Sequence, residues 1–64
     1  MTTIDKAAFS KAVKNYRRDH DLTQSELAKK LMTTVTTVAR WEIGLAAPKN
    51  ERMLRELKSM GIKW

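Results

Sequence analysis

The chain predicts an all-α fold, a compact bundle of about four helices. Apolar residues recur at separations of three and four, the spacing of a helical face. Only Gly44, Pro48 and Gly61 interrupt that pattern. The one stretch with a strand-like composition, Thr33 to Glu42 (TTVTTVARWE), sets its valines three apart, so no alternating face can be drawn through it. No repeat, low-complexity tract or linker divides the chain, and residues 1–64 are expected to form a single domain.

Each element has its own justification. A first helix is expected over Asp5 to Asp19, because Ala8, Phe9, Ala12, Val13 and Tyr16 share one face while Lys6, Lys11, Lys14 and Arg18 fall elsewhere. Ile4 extends the apolar stripe. A short second helix, Gln24 to Leu31, follows Thr23. Thr23 and Glu26 have the spacing of a capping box, in which hydroxyl and carboxylate each satisfy a free backbone N–H. Leu27, Ala28 and Leu31 form its inner face, and Lys29 and Lys30 stay outside.

The third helix covers residues 34–43. At 100° per residue Thr34, Thr37, Val38, Trp41 and Glu42 share one side, and Val35, Thr36, Ala39, Arg40 and Ile43 the other. Val38 and Trp41 are anchors for the inner side, and Thr34 is a suitable N-cap. The outer side carries small and medium side chains and one arginine, so something should cover it. Short side chains would let a major groove approach the helix backbone. Val35 and the Thr36 methyl can then meet a thymine methyl, and Arg40 can bond a guanine twice. After Pro48, the stretch KNERMLRELKSMG predicts a last helix with Met53, Leu54, Leu57 and Met60 as its stripe and Gly61 as its stop.

Composition narrows the partner. With 64 residues the core is small, and without cysteine neither a disulfide nor a thiolate metal site can reinforce it. Thirteen Lys and Arg against seven Asp and Glu give a net charge of +6, which suits either a polyanion partner or a merely solvated basic surface. No apolar run is long enough to span a bilayer, no signal or transit segment is recognisable, and a cytoplasmic location is the expectation. No cofactor or metal is expected. His20 lies between Asp19 and Asp21 in a turn and no nucleophile with a base is recognisable, so no enzyme activity is expected. His20 suits the negative end of the first helix instead.

Leu22 to Pro48, LTQSELAKKLMTTVTTVARWEIGLAAP, resembles the helix-turn-helix of the lambda-repressor and Cro family, also called the XRE family. The resemblance rests on the Leu-Thr-Gln opening, Ala28, the apolar Leu31, Val38 and Trp41, and the exit formed by Glu42, Gly44 and Pro48. It implies a DNA-binding transcription regulator, a repressor or Cro-like protein, that inserts residues 34–43 into the major groove of double-stranded DNA. Gln24 is then similar to a glutamine laid against a phosphate, where a helix N-terminus adds N–H groups and positive potential. Val35 and Thr36 stand in the turn that meets base edges. Arg40 can take either a guanine or a phosphate. Thr34 caps its helix and can also donate to a phosphate, Ala39 lies on the same outer face, and Lys49 is placed to meet the backbone or else is simply solvated. Arg17 and Glu42 match an arginine and glutamate that family members often pair, and here they are expected to meet, partly buried, as an orienting ion pair.

The chain departs from the family where Met32 replaces the glycine of the turn. That costs on the order of 1 kcal/mol or changes the shape of the turn. Asp21 replaces a similar glycine and tolerates the left-handed conformation better. No full fifth helix is expected. Ile62 and Trp64 either fold back onto the last helix or join a dimer contact. A palindromic operator bound by a homodimer, which can form on the DNA alone, would give useful specificity. The alternative use of the same fold is a protein-interaction module or antitoxin-like adaptor, docking a protein on Val35, Ala39 and Ile43. RNA is disfavoured, because no aromatic stacking platform is exposed and an A-form major groove would not admit the helix.

Overall fold

A computed structural model of the chain describes residues 4–64, so residues 1–3 of the expected 1–64 span lie outside the described residues. Four helices follow in order: α1, Lys6–Asp19; α2, Gln24–Lys30; α3, Val35–Glu42; and α4, Glu51–Ser59. Among the described residues no strand forms, and no helix is long and apolar enough to cross a membrane.

Every helix begins on a side-chain cap. Asp5 accepts from the N–H groups of Ala7 and Ala8, Thr23 from Glu26, Thr34 from Thr37 and Asn50 from Arg52. The capping box is complete, with Glu26 Oε1 accepting from the Thr23 N–H at 2.8 Å. These caps satisfy donors that a helix cannot satisfy internally. They also move the expected boundaries slightly. Asp5 precedes α1 rather than starting it, Leu31 closes α2 from outside, and α4 starts only at Glu51, because Lys49 and Asn50 lie before it.

All four helices end in the same way. The N–H two residues beyond the C-cap bonds back to the carbonyl five residues earlier: Leu22 to Arg17, Thr33 to Ala28, Leu45 to Arg40 and Ile62 to Leu57, at 2.8 to 3.1 Å. This bond needs a left-handed residue in between. Gly44 and Gly61 supply it in two helices, and Asp21 (φ 54°) and Met32 (φ 57°) in the others. The turn at Met32 therefore keeps the left-handed shape, and the strain falls on a side chain that is 89% exposed.

The core gathers Phe9, Val13 and Tyr16 from α1, Leu27 and Ala28 from α2, Val38 and Trp41 from α3, and Leu57 from α4, with Leu31 and Ile62 from the helix ends. Phe9 sits at its centre. Its ring meets Trp41 edge-on at 5.5 Å and Trp64 at 5.2 Å. Such pairs add about 0.5–1.5 kcal/mol each beyond the area they bury. The C-terminal segment thus folds back. Ile62 is buried, and Trp64 packs on Phe9 with the Lys58 ammonium 5.4 Å from its ring.

His20 caps α1 at its C-terminus, with its ring stacked on Tyr16 at 4.0 Å. This is the helix-end placement that its sequence position suggests.

Met32 buries almost nothing, so replacing it should relieve strain without opening a cavity. Met32→Gly is expected to raise the urea midpoint by an amount equivalent to about 1 kcal/mol at unchanged slope. A lowered midpoint would show that the methionine stabilises the turn by some other contact.

Candidate nucleic-acid interface

α3 presents two different sides. Val38 and Trp41 are buried, whereas Val35, Thr36, Arg40 and Ile43 are exposed. Val35 and Ile43 remain 46% and 69% accessible, on the same side of the helix as Arg40. Ala39 is half-buried at the border. Thr34, placed by sequence on the inner side, is exposed instead. Its hydroxyl points along the helix to cap Thr37 and lies 2.9 Å from the Thr37 hydroxyl.

Arg40 forms no ion pair with any of the described residues, and the exposed Lys49 forms none either. The free guanidinium stands one turn beyond Val35 and Thr36 on the outer side. An unpaired cation beside small side chains on a short, exposed helix suits a polyanion with methyl groups on its edges.

Behind that face, Glu42 holds α3 to α1 and α2. Its side chain is 5% exposed. Arg17 of α1 donates through Nε to Oε2 at 2.7 Å and through Nη2 to Oε1 at 3.0 Å, a two-pronged pair. Arg17 also donates to the Leu22 carbonyl in the α1–α2 turn. Gln24, first residue of α2, donates its amide Nε2 to Oε1 at 3.1 Å. The Ser10 hydroxyl of α1 donates to the Glu42 main-chain carbonyl at 2.5 Å.

Two of these partners go beyond the sequence reading. Ser10 is buried, and the apolar pattern of its own helix gives it no role. The available signal was its separation of seven residues from Arg17, which puts both on one face of α1. The family resemblance lays Gln24 against a phosphate, whereas in the structure its amide reaches the carboxylate at the far end of α3.

Burial pushes the Glu42 carboxyl up. Hydrogen bonds from Arg17 and Gln24, with the charges of Arg17 and Lys14, outweigh that effect and hold it below its ordinary 4.5. On Arg17 the hydrogen bond to Glu42 is the largest effect and raises its pKa further above its ordinary range, against a smaller opposing effect of burial. Since the folded carboxyl is the stronger acid, its contribution to stability is complete above the unfolded value and is lost as pH falls through the folded one.

Removing the charge leaves Arg17 partly desolvated without a partner. Glu42→Gln should therefore cost about 1–2 kcal/mol at neutral pH, less than a fully buried pair because the Arg17 side chain still reaches water. It should also flatten the loss of stability on acidification below pH 4.5. Urea denaturation of both proteins between pH 3 and 7 measures this, and parallel curves would remove Glu42 from the acid response.

A helix-turn-helix family model matches residues 13–63, well over half of the chain. Comparison with curated proteins and with solved structures gave no match.

Proposed function

The chain belongs to the lambda-repressor and Cro-like, or XRE-type, helix-turn-helix family of DNA-binding regulators, and from that premise we propose that it represses transcription by placing α3 in the major groove of a specific duplex. One observation carries the proposal: a helix fixed from behind by Val38, Trp41 and Glu42 leaves Val35, Thr36 and Arg40 uncovered.

Each side chain takes the role its chemistry allows. Val35 and the Thr36 methyl pack on thymine methyl groups, and Ala39, by being small, lets the helix sit deep. Arg40 donates to a guanine edge or to the phosphate beside it. Gln24, Thr34 and Lys49 meet the backbone, Gln24 and Thr34 by neutral hydrogen bonds and Lys49 by charge. One eight-residue helix reads few base pairs, so two copies bind a palindrome with half-sites about one helical turn apart. The pairing of copies takes place on the DNA, consistent with a C-terminal segment that spends Ile62 and Trp64 on the monomer's own core.

Exposed Val35 and Ile43 also fit a second use, an apolar dock for a protein partner. Salt separates the two. Duplex affinity should fall steeply as ionic strength rises, because bound cations are released from the phosphates, and an apolar protein contact should respond weakly.

Arg40→Ala should cost about 1–3 kcal/mol on the preferred site and relax selectivity at one base position. The check is binding-site selection from random duplexes followed by titration of the selected site and a scrambled one. Equal losses on both would assign Arg40 to phosphate, and no preferred site at all would overturn the proposal.

A further inference from the structure

We propose that Glu42 is a positioning residue for the DNA contact of Gln24, so that the ion pair holding α1 to α3 also sets the phosphate-binding amide of α2. This inference rests on the reading of Gln24 as a phosphate ligand.

The geometry is a shared acceptor. Glu42 Oε1 receives Arg17 Nη2 at 3.0 Å and Gln24 Nε2 at 3.1 Å, while Oε2 is taken by Arg17 Nε at 2.7 Å. Only the nitrogen end of the Gln24 amide can face a carboxylate, since its oxygen would be repelled, so the identity of the inward atom follows from chemistry. The amide nitrogen carries two hydrogens. One is used on Glu42, and the second has no acceptor among the described residues.

A half-buried glutamine that points nowhere in particular must be ordered when a phosphate arrives, and that ordering weakens binding. Glu42 does the ordering in advance. Arg17 keeps Glu42 ionised and in place by two hydrogen bonds, Glu42 fixes Gln24, and Gln24 presents a donor at a fixed point relative to α3. The distance between the phosphate contact on α2 and the base contacts on α3 is thereby set by side chains as well as by the turn at Met32. No charge reaches the phosphate by this route, because the group that touches it is a neutral amide.

A double-mutant cycle on the full chain tests the link. Gln24→Ala, Glu42→Met and the double variant are titrated with the preferred duplex and a scrambled one over a range of salt, and folding is followed by circular dichroism. On the scrambled duplex, where base contacts count least, each single variant should bind about five- to tenfold more weakly with the salt slope unchanged, and the double variant should bind no more weakly than Gln24→Ala; any further loss through the pose of α3 should fall on the preferred duplex. Losses that multiply on the scrambled duplex would mean that Glu42 acts only through the pose of α3, and would overturn the proposal. Gln24→Ala binding as tightly as the parent, while Arg40→Ala still alters base preference, would overturn this inference and leave the reading of α3 standing. Failure of the parent to bind any duplex would overturn both.

A measurement on the unmodified protein keeps the test open if Glu42→Met does not fold. Gln24 is the one glutamine in the chain, so its side-chain amide resonance is unambiguous in type. Relaxation of that amide should report an ordered group in the free protein. An amide as mobile as an unrestrained side chain would contradict the proposal.

Discussion

A carboxylate buried at the end of a short helix must find donors, and the pose of α3 follows from where Glu42 finds them. They come from α1 through Arg17 and from α2 through Gln24, while the Ser10 hydroxyl of α1 bonds the main-chain carbonyl of the same residue, so Glu42 ties α1, α2 and α3 together. The pair itself adds little net stability, because desolvation offsets most of the attraction. Its effect is directional. Burial of Val38 and Trp41 against the Phe9 cluster supplies the driving force for docking α3, and burial alone would tolerate some rotation about the helix axis. Two-pronged hydrogen bonds to one carboxylate restrict that rotation.

Once α3 is docked and oriented, the character of its other side follows. Side chains on the outer arc cannot reach the core, and in this sequence they are small, β-branched or cationic. The exposed valine and isoleucine gain nothing in the monomer, and Arg40 gains no ion pair among the described residues. The chain belongs to a family of DNA-binding regulators, and these are the features on which the proposed DNA contact rests. With a core this small, Ile62 and Trp64 are drawn inward to complete it, covering Phe9 and closing α4.

Much of the fold was legible because local signals agreed with the apolar pattern. Thr23 with Glu26, Thr34 before the third helix, and Gly44 and Gly61 after the last two helices each marked an end that the structure places within a residue or two. The turn at Met32 was less legible. Strain at a non-glycine residue can be relieved by changing the turn or carried by it, and only the bond from the Thr33 N–H to Ala28, which continues the same ending used by every helix, decides for the second. Ser10 and the inward turn of Gln24 were hidden for a different reason. Gln24 answers a buried carboxylate and Ser10 a main-chain carbonyl, both on another helix, and a polar residue's partner across the fold leaves no periodic trace in its own segment. Thr34 shows the limit of the helical wheel itself, since an N-cap has non-helical backbone angles and its side chain does not follow the wheel.

α3 divides into a packed side and an uncovered side, and the two valines of that helix report on each. Val38 is fully buried and Val35 nearly half exposed, three residues away, about 60° round the helix and across the border between the two sides. Methyl resonances followed during titration with the preferred duplex test the division most directly. The Val35 methyls, with those of Ile43, should shift and acquire contacts to thymine methyl protons while the Val38 methyls stay close to their free positions. Shifts concentrated on α4 or on the Val38 side, with Val35 unmoved, would contradict it.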